Sequence, residues 1–291
     1  MFRSSPLRYW LILIASCSIV SFYHLIKSPH RSESVLNYAT KLSIEPAFSL
    51  PAADASLVET ARQVTVRILT ASGSGSGVII ERQGQVYTLV TNYHVVADNP
   101  DNRYTVLTAD GKTYSGQWVR SRQSGTLDLA LVRFVSSQSY KVAKEGNMNT
   151  LSVGDTVYAC GFPAWDFTKQ GSTVTALNET RDLGTKAFRL TNGQIKMMQR
   201  SLQGGYEIGY TNDVFQGMSG GPVLNQKGEL IGINGKLKYP FQGIRAFIFA
   251  DGTMPSEQLF QQMEPLNWAI PISYFSRQNI QNSAQREMGL K

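Results

Sequence analysis

A serine framed by glycines is the residue whose surroundings indicate chemistry most clearly. The segment "DVFQGMSGGPV" (213–223) places Ser219 two residues after Gly217 and directly before Gly220 and Gly221. Glycines let the backbone approach a reacting carbonyl group closely, so the N–H groups of Gly217 and Ser219 are candidate donors of an oxyanion hole. The alternative is an ordinary turn, because Gly, Ser and Pro are typical turn residues.

A serine hydroxyl becomes a good nucleophile only when a nearby base accepts its proton. The chain has three histidines, and His24 and His30 lie in an N-terminal segment that is predicted to lie outside the folded domain. His94 lies near the end of an apolar, β-rich run, "VYTLVTNYHVVAD" (86–98). His94 is therefore the candidate base, and a structural histidine of the core is the alternative.

The base in turn needs an acid that orients it, and Asp128 is the candidate. It lies in "TLDLALVRF" (126–134), between Leu127 and Leu129, where a carboxylate is expected to be partly buried. Burying a charge is costly unless a partner compensates it, and a histidine N–H is a suitable partner. The alternative places Asp128 on the solvent face of an alternating strand. Several other aspartates between His94 and Ser219 lie in loop-like or turn-like sequence: Asp98, Asp101, Asp110 and Asp155.

The order His94, Asp128, Ser219, with "TNYHVV" and "GMSGGPV" around the first and last, resembles the chymotrypsin-like (trypsin-like) serine peptidase superfamily. Within it the chain is most similar to bacterial HtrA-type peptidases that lack PDZ domains. Four further segments fit in order: "GSGSGVII" (73–80), "GDTVYACGFP" (154–163), "GELIGING" (228–235) and "NWAIPI" (267–272). The resemblance implies two antiparallel six-stranded β-barrels, with the active site in the cleft between them. It also implies a His-Asp-Ser triad that works through an acyl-enzyme.

The pattern of short β-rich runs predicts an all-β barrel or sandwich independently of that resemblance. Turn residues separate most of these runs, and helices are predicted only near 55–62 and 256–263. "GSGSG" (73–77) does not indicate a nucleotide site, because strand-forming residues follow it where such a site needs a helix. The predicted runs are 64–69, 77–82, 87–91, 113–119, 129–134, 156–162, 172–177, 206–211, 229–233 and 244–250.

Composition narrows the possible cofactors and partners. Apart from Cys17 in the N-terminal segment, Cys160 is the only cysteine, so no disulfide within the domain and no zinc site are expected, and no cofactor is predicted. Four of the basic residues lie within residues 1–31, and the remaining chain has 24 basic and 21 acidic residues. That small excess does not favour nucleic acid as a partner.

The N-terminal segment predicts export. Residues 9–26 ("YWLILIASCSIVSFYHLI") contain no charged side chain and are flanked by basic residues, and a membrane-spanning helix needs about 20 such residues. The interpretations are a signal anchor, a cleaved signal peptide or, from "IASC" (14–17), a lipoprotein signal. All three place the domain outside the cytoplasm, either anchored to the membrane or secreted.

The expected organisation is a signal segment (1–27), a spacer (28–54), a peptidase domain (55–275) and a C-terminal tail (276–291). The first barrel is expected at about 62–140 and the second at about 150–275. Protein or peptide substrates are the expected partners.

Substrate preference is predicted from Asp213 and Gly235. "DVFQGMS" resembles the trypsin segment that ends at the nucleophile, and the resemblance implies Asp213 at the base of the primary specificity pocket. Such a carboxylate would pair with a substrate Lys or Arg, and Gly235 would leave room for a long side chain. Lys236 or Lys238 could neutralise Asp213, and a surface loop aspartate is the alternative.

Two main functions therefore stay open, with a third beside them. The first is an exported or membrane-anchored serine endopeptidase, with Lys or Arg preferred before the cleaved bond. The second is a catalytically silent protein-binding module on the same fold. Esterase or acyltransferase use of the same triad is a third.

Overall fold

The computed structural model describes residues 54–71, 73–99, 101–119, 127–170 and 173–275. The apolar segment 9–26, the spacer up to residue 53 and the tail 276–291 lie outside these ranges. The described residues fall into two compact units: those within 54–166 and 179–275 form the first, and those within 167–178 belong to the second. Of the second, the described part is a hairpin in which β8 (Trp165–Gln170) pairs with β9 (Thr173–Glu179). No helix in the described ranges has the length and apolar character needed to cross a membrane.

The first barrel is closed and antiparallel. Its strands lie in the order β1-β2-β3-β6-β5-β4 around the barrel. Apolar residues at alternate positions, such as Val66 and Ile68, are fully buried, because successive side chains of a strand point to opposite faces. The strands are β1 (Thr65–Leu69), β2 (Ser74–Gln83), β3 (Val86–Thr91), β4 (Tyr104–Leu107), β5 (Thr113–Val119) and β6 (Ala130–Val135).

The second barrel is also closed and has six strands. They are β7 (Thr156–Gly161), β10 (Arg189–Met198), β11 (Ile208–Tyr210), β12 (Pro222–Leu224), β13 (Leu230–Lys236) and β14 (Asn267–Pro271). Around the barrel they run in the order β10-β11-β14-β13-β12-β7, with antiparallel neighbours. Closure leaves no open sheet edge in either barrel. The predicted all-β fold of two six-stranded barrels is confirmed.

In the part of the chain that the structure describes, three α-helices accompany the barrels: α1 (Ala55–Val64), α2 (Tyr93–Val96) and α3 (Glu257–Met263). The Asp54 side chain caps α1 by accepting the Ser56 N–H at 3.1 Å, and Leu57 on the same helix is buried. The helices predicted near 55–62 and 256–263 correspond to α1 and α3.

The strand predicted at 244–250 is wrong, because a 3-10 helix (Gly243–Phe247) occupies that position. The run is rich in β-forming residues, but what β-propensity measures is fit to a paired, half-buried surface. Phe247 instead fills a core site against Phe260 and Trp268. Strands β4, β8, β10, β12 and β14 were not among the predicted runs.

Candidate active site

His94 and Asp128 meet because β3 and β6 pair antiparallel. Thr91 at the end of β3 lies opposite Ala130 at the start of β6. His94 follows β3 on the short helix α2, and Asp128 lies two residues before β6, so both project at the same end of the first barrel. The His94 backbone N–H donates to Asp128 Oδ1 at 2.9 Å, and His94 Nδ1 lies 2.7 Å from Asp128 Oδ2.

Asp128 is held by its surroundings on several sides. The Asn92 amide donates to the Asp128 carbonyl at 2.8 Å, and the Asp128 N–H donates to the Gly204 carbonyl at 2.9 Å. The Tyr206 hydroxyl donates to Asp128 Oδ2. The Asp128 side chain is only 18% exposed, whereas that of His94 is 40% exposed. With Nδ1 donating to the carboxylate, the neutral ring has Nε2 available as a proton acceptor.

The electrostatics of the pair follow from this geometry. Burial alone would lower the pKa of His94, but the charge of Asp128 and its hydrogen bond outweigh burial and raise that pKa above its usual value. Burial alone would raise the pKa of Asp128, but His94 and the Tyr206 hydroxyl lower it below its usual value. The carboxylate is therefore ionised at neutral pH.

Ser219 lies in a turn before β12, here called the nucleophile turn (residues 217–221). Gly217 has φ +94°, and a Cβ there would lie 2.4 Å from the Ala164 nitrogen, so this position requires glycine. The Ser219 carbonyl accepts the Ser76 N–H, and the Ser76 hydroxyl donates to the Gly217 carbonyl, both at 2.8 Å. The Thr91 hydroxyl donates to the Ser76 carbonyl at 2.7 Å, so Ser76 connects this turn to the end of β3.

The backbone of the nucleophile turn leaves two N–H groups available. The N–H groups of Met218, Gly220 and Gly221 donate to backbone carbonyls. Among the described residues, the N–H groups of Gly217 and Ser219 have no acceptor, as the predicted oxyanion donors would require. Within the same ranges, no hydrogen bond joins the Ser219 hydroxyl to His94. Catalytic hydrogen bonds are often long in the absence of substrate and shorten when it binds.

The residues predicted to set substrate preference have other close neighbours. Asp213 is 60% exposed and accepts a salt bridge from Lys238 at 3.1 Å, while the Lys238 side chain is 7% exposed. One of the two lysines that could neutralise Asp213 thus contacts it directly. At Gly235 a Cβ would lie 2.4 Å from the Tyr206 hydroxyl. The Tyr206 ring therefore occupies the space on the side to which a Cβ would point.

Sequence reasoning missed Tyr206 and Ser76 as supporting residues of the site, and it considered Lys236 only as a partner of Asp213. The ammonium of Lys236 lies 5.1 Å from the centre of the Tyr206 ring. Glycines next to Tyr206 and Ser76 were the available signal, since glycine often marks a close approach of chain segments. In the described parts of the chain, no cluster of three or more His, Cys, Asp or Glu side chains could hold a metal ion.

Curated relatives of this chain are serine proteases. Over 163 residues it is 32% identical to serine protease HTRA1 of Xenopus tropicalis, with 56% of this chain and 31% of that protein covered. Over 191 residues it is 32% identical to the serine protease Do-like HtrB of Bacillus subtilis, with 65% of this chain and 38% of that protein covered. A putative serine protease, HhoA of Synechocystis, is 34% identical over 176 residues, with 60% of this chain and 39% of that protein covered. The chain thus spans less than half the length of these relatives.

A solved structure with the same fold is an HtrA-type protease with a bound tripeptide. The TM-score is 0.54 at 23% sequence identity, over 76% of this chain and 60% of the other. The family model described as a trypsin-like peptidase domain matches residues 75–233, which include His94, Asp128 and Ser219. This match covers more than half of the sequence, and the chain belongs to the family of trypsin-like peptidase domains.

Proposed function

We propose that this chain is a serine endopeptidase in which Ser219 is the nucleophile, His94 the general base and Asp128 the residue that orients His94. The observation that carries the proposal is the pair of hydrogen bonds from His94 to the two carboxylate oxygens of Asp128. They fix the ring on its Nδ1 side while the rest of the imidazole stays accessible.

The reaction follows from these positions. Ser219 Oγ attacks the carbonyl carbon of the scissile peptide bond while His94 Nε2 takes the hydroxyl proton. The N–H groups of Gly217 and Ser219 stabilise the negative oxygen of the tetrahedral intermediate. His94 then gives its proton to the leaving amine, which departs and leaves an acyl-enzyme. Water, deprotonated by His94, attacks the ester and releases the acid and free Ser219.

Labelling by an active-site-directed fluorophosphonate tests this proposal. We expect the wild-type protein to be labelled and Ser219→Ala to be unlabelled, with proteolysis of casein reduced by at least about 10⁴-fold. Ser115→Ala, a change at an exposed serine on β5, is the matched control and should label normally. Unchanged proteolysis in a folded Ser219→Ala protein excludes the assignment. A wild-type protein that is never labelled favours the silent binding module instead.

For substrate preference we propose Lys or Arg before the cleaved bond, from the carboxylate of Asp213. Lys238 already pairs with this carboxylate, so a substrate cation must share or replace that partner. In a panel of peptides that differ only at that position, Asp213→Ala should reduce cleavage after Lys and Arg. Lys238→Met should increase it, because it removes the competing cation. A wild-type preference for Val or Ala contradicts this proposal.

Export belongs to the proposal as well. The support is sequence alone: the uncharged segment 9–26 with basic residues on both sides, followed by the spacer 28–54. We propose that this segment anchors the protein to a membrane with the peptidase domain outside the cytoplasm, or directs its secretion if it is cleaved.

A further inference from the structure

We propose that Tyr206 is a positioning residue, whose phenol hydroxyl holds the Asp128 carboxylate in the orientation that serves His94. The inference rests on the roles proposed above for His94 and Asp128. The Tyr206 hydroxyl donates to Asp128 Oδ2, the oxygen that also faces His94 Nδ1 at 2.7 Å. Asp128 Oδ1 accepts the His94 N–H at 2.9 Å. With donors on both oxygens, the carboxylate is fixed against rotation.

The backbone places Tyr206 beside Asp128. Residues 202–206 fold tightly, since the Leu202 N–H donates to the Tyr206 carbonyl and the Gly205 N–H donates to the Leu202 carbonyl, both at 2.9 Å. The Gly204 carbonyl within this segment accepts the Asp128 N–H. Tyr206 is 4% exposed and belongs to a hydrophobic cluster, so its ring is packed as well as hydrogen-bonded. The segment therefore holds both the backbone and the side chain of Asp128.

Gly235 on β13 makes room for this ring. A Cβ at that position would lie 2.4 Å from the Tyr206 hydroxyl and 2.6 Å from Tyr206 Cε1, closer than real Cβ contacts allow. The following residue, Lys236, places its ammonium 5.1 Å from the ring centre. Any side chain larger than glycine at 235 would have to displace the ring that donates to Asp128.

The hydrogen bond from Tyr206 also affects how strongly Asp128 acts on His94. A phenol that donates to Oδ2 disperses part of the negative charge that stabilises the protonated imidazole. Its removal should therefore strengthen that attraction and raise the pKa of His94. The other charged groups that act on His94 are Lys236, which opposes protonation, and Asp98, which favours it. Both remain in place when only the hydroxyl is removed.

Tyr206→Phe in the full-length protein tests the proposal, because it removes the hydroxyl and keeps the ring. We expect kcat to fall roughly tenfold with KM little changed, since the lost bond is to a charged group. The acid limb of the pH–rate profile should move to higher pH. The NMR signal of the His94 Nδ1 proton, assigned by its absence in His94→Ala, should shift. NMR titration of His94 gives its pKa without relying on turnover.

Two further variants separate positioning from simple stability. Gly235→Ala should move the His94 pKa in the same direction and should add little to it in the Tyr206→Phe background. Tyr87→Phe removes a buried hydroxyl that bonds Gln138 in the first barrel, and it should lower stability without changing that pKa. An unchanged His94 pKa and an unchanged proton signal in folded Tyr206→Phe would falsify the proposal. Failure of wild-type labelling would instead overturn the proposed function, while the titration still tests the contact.

Discussion

At the residue scale, the buried carboxylate of Asp128 is stabilised by several hydrogen-bond donors. Burying a carboxylate without a partner costs free energy. Removing one partner of a buried ion pair leaves the other charge buried without compensation. Here the His94 N–H, the His94 ring and the Tyr206 hydroxyl all donate to it. The cost of burial is offset, and the same contacts set the protonation of His94.

Activity should therefore depend on pH through His94. The base must be neutral, and Asp128 raises the pKa of His94, so kcat/KM should rise with pH through a midpoint above about 6.5, the value of a free histidine. Asp128→Asn removes the raising charge and leaves burial, so the pKa of His94 should fall below that of the wild type. It also loses the acceptor that fixes the tautomer, and kcat should fall by about 10⁴-fold.

Rate measurements from pH 5 to 9 on the wild type, with NMR titration of His94 in both proteins, check this prediction. Glu59→Gln, a change at a carboxylate on α1, serves as the control and should leave the midpoint unchanged. A wild-type midpoint below about 6.5, or an Asp128→Asn titration at higher pH than the wild type, contradicts the argument.

The sequence could single out the candidate catalytic residues but not the residues that contact and support them. His94 is the sole histidine beyond the N-terminal segment, and apolar neighbours mark Asp128. Apart from the neighbouring glycines, the sequence around Tyr206 gives no signal of comparable specificity. Its hydroxyl meets Asp128 across 78 residues of sequence, beside the backbone hydrogen bond from the Asp128 N–H to the Gly204 carbonyl. For Asp213 the sequence offered two partners, Lys236 and Lys238. That Lys238 forms the salt bridge depends on how two loops meet in the fold.

At the scale of elements, β2 links the nucleophile turn to the first barrel through one buried residue. The Ser76 hydroxyl donates to the Gly217 carbonyl and accepts the Phe162 N–H, both at 2.8 Å. Its backbone N–H donates to the Ser219 carbonyl. A strand of the first barrel thus also fixes the turn that carries Ser219.

Ser76→Ala should therefore lower both stability and activity. It leaves the Gly217 carbonyl and the Phe162 N–H without their shared partner in a buried site, at a cost of about 1–3 kcal/mol for each unpaired group. The loosened turn should reduce kcat more than it changes KM. Denaturant unfolding and the rate of fluorophosphonate labelling measure the two effects. The exposed Ser115→Ala is the matched control, and a Ser76→Ala protein equal to it in both measurements contradicts this role.

Strands with an apolar, β-rich sequence were predicted well, and short strands that depend on pairing were not. "YTLVT" and "LALVRF" are apolar runs that lie in β3 and β6. β12 has only three residues after a glycine-rich turn, and its pairing with β7 and β13 makes it a strand. Short strands of this kind depend on long-range register, which local sequence does not encode.

At the scale of the whole molecule, the family match does not include every element that the domain needs. It covers residues 75–233 and so omits β1, α1 and β14. Yet β1 and β14 each complete a barrel. Helix α1 buries Leu57, Ala61 and Val64 in a hydrophobic cluster that contains residues of both barrels, such as Val78 and Ile270. The folding unit is thus larger than the matched segment.

Truncation tests both this boundary and the proposed role of the N-terminal segment. A protein that begins at residue 54 keeps the Asp54 cap and all of α1, so it should be soluble, folded and labelled by the fluorophosphonate. The full-length protein, by contrast, should fractionate with membranes or be secreted. A protein that begins at residue 65 loses the burial of Leu57 and Val64, which should cost about 3–6 kcal/mol, enough to unfold many domains. Melting temperatures and membrane fractionation distinguish the three proteins. Full-length protein in the cytosol contradicts export, and equal stability of the two truncated proteins contradicts the structural role of α1.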